Sequence, residues 1–308
     1  MKSTTECYKK VSEDCFRYIK LQETTKEKFK NKKKMIKSFL IPISFWIASK
    51  AKNKKPYTIG LGGGQGAGKT TISSIVTLIL KKYFKLSVFK ISIDDFYKTR
   101  KERFLLSKKI HPAFMTRGVP GTHDTKIIFN FFKKIRSRNF KSFKMPKFDK
   151  SIDDRCKKNF WYKIKQKPDV IILEGWCVGA RAQQSYQLKK SINFFETNND
   201  QNLVWRKYVN SQLKTKYKKI FNKLNCLLYL KAKNFNLLQV WRLKQEKKLK
   251  FKSKNKKNLK IMNKKEVIKF MQTYQRITQN MFKDAPKYCS IILNLNSNHQ
   301  IKSVDYRK

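Results

Sequence analysis

The chain has 308 residues, room for one α/β domain with extensions or for two domains. A 40% hydrophobic share with 23 Phe is enough for a core, yet no run reaches the ~18–20 apolar residues of a membrane span. Lys and Arg outnumber acids 74 to 20, a net charge of +54, but they spread over nearly the whole chain, with peaks at 26–37, 214–223 and 244–260; no specific nucleic-acid partner is expected, although weak adhesion to polyanions follows from the charge.

Residues 1–56 are polar and helix-prone, with Tyr8, Val11, Cys15, Tyr18 and Ile19 at helical spacing. The first 50 read as a basic helical extension, either packed on the core or attached as an arm. Met1–Lys37 is charged throughout, unlike a secretory leader, and the apolar stretch Phe39–Ala48 is short and broken by Pro42. A cytoplasmic protein with no membrane partner is expected. The six cysteines form no C-x-x-C pair and no metal-ligand spacing, which suits buried free thiols.

Tyr57–Leu61 is an apolar, β-rich run that stops at glycines. The next stretch, Gly63, Gly64, Gln65, Gly66, Ala67, Gly68, Lys69 and Thr70, fits G-x-x-x-x-G-K-[ST], a phosphate-binding loop. The glycines let successive N–H groups turn inward on phosphate oxygens. Lys69 brings a compact charge to the β/γ-phosphates, and Thr70 offers a hydroxyl to Mg²⁺. From Thr71 to Leu80 the chain reads as a helix whose positive end faces the anion. A nucleoside triphosphate is the expected ligand.

Ser87–Ile93 is a second strand ending in Asp94 and Asp95, so a βαβ unit and a parallel sheet are expected. Ligands of such sheets sit at the carboxyl ends of the strands, which puts both acids in the crevice of Lys69. One of them can take the proton of an attacking hydroxyl and the other can cap a helix; Asp94 is favoured as the base. His111–Asp124 holds two Gly and two Pro and reads as a loop, with Asp124 capping a helix over Thr125–Arg136. Arg117 and His123 in this loop could hold an anionic, hydroxylated substrate, or His123 could simply anchor the loop.

The polar cluster Pro146–Arg155, with Asp149 and Arg155, is either a substrate-facing loop or a solvated turn. Val170–Gly175 is a buried parallel strand that delivers Glu174 to the phosphates, and an acid placed there calls for Mg²⁺ or a cation. Residues 198–224 read as one long basic helix, Cys226–Lys231 as a strand and Phe235–Lys250 as a helix. Lys247–Lys264, nearly all Lys, Asn and Leu, falls where a lid would come. Glu266–Phe282 is an amphipathic helix and Ser290–Leu295 a fifth strand.

These motifs resemble the bacterial and fungal branch of the D-glycerate 3-kinases, within the phosphoribulokinase/uridine kinase group of P-loop kinases. The resemblance runs from about Pro42 to the end. It is carried by Ser92-Ile93-Asp94-Asp95-Phe96-Tyr97, Arg117-Gly118-Val119-Pro120-Gly121-Thr122-His123-Asp124 and Phe148-Asp149-Lys150-Ser151 with Asp154-Arg155. It continues through Glu174-Gly175-Trp176-Cys177-Val178-Gly179-Ala180-Arg181, Trp205-Arg206, Trp241-Arg242-Leu243-Lys244-Gln245-Glu246 and Tyr274-Gln275-Arg276-Ile277-Thr278.

The resemblance implies a P-loop NTPase fold over 51–308: a doubly wound, mostly parallel five-stranded sheet with helices on both faces and a helical lid around 241–264. It implies ATP and Mg²⁺ as cofactors and D-glycerate as substrate, giving 3-phosphoglycerate, or 2-phosphoglycerate if the other hydroxyl attacks. Asp94 would be the base, Glu174 with Thr70 the Mg²⁺ side, and Lys69 and Arg242 the groups on the transferring phosphate. Asp95, Tyr97, Arg117, His123, Asp124, Asp149, Arg155 and Arg181 would bind the acceptor. A kinase of a nucleoside or of pantothenate is the alternative, and a P-loop nucleic-acid-binding NTPase a remoter one. The lysine-rich segment after Glu246 departs from the family pattern.

Overall fold

The computed structural model describes residues 3–25, 27–252 and 262–307. Strands β1 (Tyr57–Gly63) and β2 (Val88–Ser92) are followed by two small antiparallel ribbons, β3 (Phe143–Met145) with β6 (Tyr162–Ile164) and β4 (Phe148–Asp149) with β5 (Asp154–Arg155). The chain then re-enters the sheet with β7 (Val170–Gly175), β8 (Cys226–Lys231), β9 (Ile291–Leu295) and β10 (Ile301–Tyr306). The central sheet has six strands in the order β10-β9-β8-β1-β7-β2, all pairs parallel except β9 with β10. The expected five-stranded sheet therefore gains one edge strand. Its sequence, Ile301-Lys302-Ser303-Val304-Asp305-Tyr306, is mostly polar and only Ile301 is buried. An edge strand wet on one side carries no apolar run to announce it.

Every residue of β1 and β7 is buried, as strands covered on both faces require. Alternate side chains feed two separate cores. Ile59, Ile172, Leu228 and Leu293 point to one, and Ile171, Leu173, Leu227 and Tyr229 to the other.

The first core is roofed by α1 (Thr4–Gln22), by α2 (Lys32–Lys34) running through a π-helical stretch into α3 (Ile41–Asn53), and by α4 (Lys69–Lys82). On α1, Cys7, Val11, Cys15 and Ile19 recur every four residues and are fully buried against this core. Tyr83, just past α4, fixes the helix start by donating to Glu6 at 2.9 Å. The amino-terminal helix is thus packed on α4 and the α2–α3 segment and does not trail as an arm. Five of the six cysteines are buried free thiols and Cys156 is half-buried.

After α5 (Arg100–Lys109) comes the second core, covered by α6 (Thr125–Arg136), α7 (Phe194–Asn199), α8 (Val204–Gln212) and α9 (Lys218–Phe221). The single helix expected over 198–224 is broken. Leu203 adopts a positive φ of 59°, and Asp200 accepts the Trp205 and Arg206 N–H groups at 2.8 and 3.1 Å, restarting the chain as α8. The break falls on Asn198-Asn199-Asp200-Gln201-Asn202, a run of polar turn and cap residues that a reading of overall charge passes over.

Last come α10 (Phe235–Lys252) and α11 (Lys264–Tyr288), which pack on each other. Residues 253–261 of the expected lid lie outside the described residues. A buried ion cluster holds α11 to the α7–α8 segment. Glu196 bonds Arg206 at 3.0 Å and Arg276 at 2.5 and 2.7 Å, while Arg206 also meets Asp200 at 3.0 Å. Glu196→Ala should leave two buried guanidiniums short of charge and cost about 3–5 kcal/mol. Urea unfolding measures it, and a loss below about 1 kcal/mol would show that the cluster is solvated.

Candidate active site

Because β1, β2 and β7 run parallel, their carboxyl ends meet at one edge, where Glu174 lies in register between Leu61 and Ser92. The loop after β1 leaves the sheet at Gly63 and turns into α4 at Gly68, whose φ of 90° suits glycine. Gly66 has φ 79°, and a Cβ there would stand 3.0 Å from Trp241 and 3.1 Å from the Arg242 backbone nitrogen. Helix α10 is therefore already seated on the loop. His299, at the turn between β9 and β10, stacks on Trp241 at 4.2 Å and hydrogen-bonds the Ala67 backbone.

The Lys69 ammonium folds back onto the loop and donates to the Gly63 and Gly64 carbonyls at 2.8 and 2.9 Å. Burial pushes its pKa down to about 8, with Glu174 and Asp94 pulling the other way. Glu174 is 6% exposed and accepts from the Thr70 hydroxyl at 2.9 Å and from Ser73 at 2.5 Å. A buried carboxylate held only by hydroxyls, next to the phosphate loop, suits a hard divalent cation with oxygen ligands.

Asp94 lies in a short 3-10 turn, Ile93–Phe96, whose N-cap is the Ser92 hydroxyl and neither aspartate. Its carboxylate receives the Lys150 ammonium at 2.5 Å and the Tyr97 hydroxyl. Burial alone would raise its pKa; the Lys150 charge and hydrogen bond, with the Tyr97 hydroxyl, outweigh it and hold the carboxyl below the usual aspartate value. Asp95 turns away toward the Phe148 N–H at 3.4 Å, and burial raises it to about 6. The two acids are separated by environment: Asp94 keeps its charge to lower pH than a free aspartate, whereas Asp95 gives up its charge near pH 6.

His123 stacks on Tyr97 at 4.4 Å and shares a hydrogen bond of 2.6 Å with the Tyr217 hydroxyl. It is 1% exposed, and burial lowers its pKa to about 4, so it is neutral and offers no charge to an anion. The unfolded imidazole takes a proton near about 6.5, so the unfolded state binds more protons in that window and stability falls as pH drops from about 6.5 toward 4. His123→Phe should remove this term. Urea midpoints of wild type and variant should converge between pH 7 and 5, whereas a constant gap would mean that His123 is protonated in the fold.

The other expected binding residues are mostly committed elsewhere. Arg117 pairs with Asp153, and Arg103, fully buried and not singled out from the sequence, meets the same acid at 3.0 Å. Asp124 caps α6 and lies 3.4 Å from Arg155, which also donates to the Tyr97 carbonyl at 2.9 Å. Asp149 accepts from the Ser151 N–H and hydroxyl at 2.8 and 2.6 Å. Arg242 pairs with Glu246 one turn along α10. Arg181 is not in the crevice: it lies 3.6 Å above the Tyr288 ring, three residues before β9 begins and so at the amino edge of the sheet.

Lys150, Ser73, Tyr274 and His299 are the site residues that sequence reasoning missed. Tyr274 of α11 bonds Gln65 of the phosphate loop and the Arg117 carbonyl at 3.3 Å. A Cβ on Gly118 would strike its hydroxyl. One phenol thus ties α11, the phosphate loop and the 111–124 loop together.

No protein-family model matches the chain. It is 33% identical over 228 residues to an uncharacterized kinase of Schizosaccharomyces pombe, an alignment spanning 71% of this chain and 79% of that relative. It is 30% identical over 159 residues to the chloroplastic D-glycerate 3-kinase of Arabidopsis thaliana, across 46% of this chain but 35% of the relative. A solved D-glycerate 3-kinase from Cryptococcus neoformans superposes with a TM-score of 0.73 at 20% identity, covering 89% of this chain and 99% of that one.

Proposed function

From the premise that the chain belongs to the P-loop small-molecule kinase family that includes D-glycerate 3-kinase, we propose that it phosphorylates D-glycerate from ATP, at the 3-hydroxyl. The observation that carries this reading is the convergence of Lys69, Glu174 and an ionised Asp94 at one sheet edge. The loop N–H groups and the α4 terminus hold the phosphates. Lys69 swings from the Gly63 and Gly64 carbonyls to the β/γ-phosphates, a short move for a four-carbon stem.

Asp94 accepts the proton of the acceptor hydroxyl as its oxygen attacks the γ-phosphorus; the bond to the β,γ-bridging oxygen breaks, leaving ADP and a phosphomonoester. Thr70 and Glu174 would hold Mg²⁺, which would supply charge neutralisation for the transferring phosphate. Arg242 would contribute from α10, seated on the loop with its backbone nitrogen against Gly66, once its guanidinium leaves Glu246.

ADP release from ATP with Mg²⁺ tests the proposal, with D-glycerate, L-glycerate, uridine, cytidine, pantothenate and no acceptor compared side by side. Turnover dependent on D-glycerate is expected. Turnover with a nucleoside or pantothenate alone would keep the kinase and discard the substrate.

A further inference from the structure

Of the cations the sequence offers for an acidic acceptor, the structure leaves few uncommitted. Arg117 and Arg103 share Asp153, Arg155 is held by Asp124 and the Tyr97 carbonyl, and Arg181 stands at the far edge of the sheet. His123 is closed in by Tyr97 and Tyr217. Lys69 belongs to the phosphate loop. Lys150 differs from all of these. Its side chain is 60% exposed, yet its ammonium lies 2.5 Å from Asp94, the carboxylate proposed as the base.

In a chain with 74 Lys and Arg, an exposed lysine is by itself unremarkable. What marks Lys150 is that its backbone is held from both sides. It sits in the turn between β4 and β5, where Asp149 takes the Ser151 N–H at 2.8 Å and the Lys150 carbonyl accepts from Arg117 at 3.4 Å. Beyond it, Asp153 is pinned by Arg117 and by the buried Arg103. The turn is a braced arm that carries one ammonium to the base.

We infer that Lys150 is the specificity-determining cation of the acceptor site, binding the carboxylate of a small hydroxy acid whose attacking hydroxyl rests on Asp94. The inference rests on the proposed kinase activity. An ammonium has three donors, so it can keep Asp94 and add a carboxylate oxygen. In a two- or three-carbon hydroxy acid the carboxylate lies within a few bonds of the attacking hydroxyl, close enough for one ammonium to bridge it to the base. Neutral polyols and nucleosides present no such group. Selectivity then comes from a charge-assisted hydrogen bond that only the acid can make.

Lys150→Met also alters Asp94, but that change weighs on every acceptor alike. The readout is therefore the ratio of kcat/KM for D-glycerate to that for its neutral analogue glycerol, together with KM for ATP. Expected in Lys150→Met is a tenfold to hundredfold fall in that ratio, a raised KM for D-glycerate, an unchanged KM for ATP and partial recovery in Lys150→Arg. An unchanged ratio in an enzyme that still uses D-glycerate would overturn the inference and leave the kinase reading standing. A rise in KM for ATP alone would move Lys150 to the nucleotide and overturn it too. Wild-type turnover of neutral acceptors only would sink both.

Discussion

Asp94→Asn is expected to lower kcat by a hundredfold to ten-thousandfold, the range that general-base catalysis contributes. Asparagine keeps the shape of the side chain and can still accept from Tyr97, so the fold and the Ile93–Phe96 turn should survive. What it loses is the ability to take a proton. ATP binding should persist, because the nucleotide is held by the loop after β1 and not by the end of β2. Nucleotide titration with single-turnover kinetics separates the two effects. Near-normal turnover would refute Asp94 as the base.

The same residue gives a pH prediction with a definite sign. Its carboxyl is held below the usual aspartate value, so it is ionised across the neutral range. Its contribution to stability is present above about 3.9 and is lost as pH falls through the lower folded value.

Lys69→Ala should cost a hundredfold to a thousandfold in kcat, comparable to removing one preorganised electrostatic contact to developing charge. In the structure the ammonium satisfies two loop carbonyls at 2.8 and 2.9 Å, so alanine exposes these to water and does not unfold the loop. Arginine is a poor substitute, since a planar fork cannot fold into the space of a point charge. Circular dichroism and the urea midpoint should be nearly unchanged while turnover collapses. A matching loss of stability would assign Lys69 to the fold and not to the reaction.

Much of this site was legible because phosphate binding and parallel sheets leave local signatures. Gly63 to Thr70 is contiguous, and Asp94 and Glu174 each end an apolar strand. The matching of Ser92 and Leu61 to Glu174 then follows from parallel register. The acceptor side was harder to read. Whether Arg117 is free or paired depends on Asp153, 36 residues on, and His123 is kept neutral by burial, with Tyr217, 94 residues on, as its hydrogen-bond partner.

Lys150 is visible as a letter but not as a partner of Asp94, because nothing local distinguishes it from the other lysines. Arg181 shows the reverse error. It directly follows a glycine-rich stretch after Glu174, but the chain there doubles back across the sheet and delivers it to Tyr288. Strand β10 and the break before α8 escaped for a related reason: both are polar, and their order comes from edge pairing and from the Asp200 cap.

The central claim is transfer of a phosphoryl group to a hydroxyl of D-glycerate, and phosphorus NMR of a reaction with ATP, Mg²⁺ and D-glycerate tests it most directly. One new phosphomonoester, formed in step with ADP and matching 3-phosphoglycerate, is the predicted result. ADP accompanied only by inorganic phosphate, with no ester at either glycerate hydroxyl, would contradict the account.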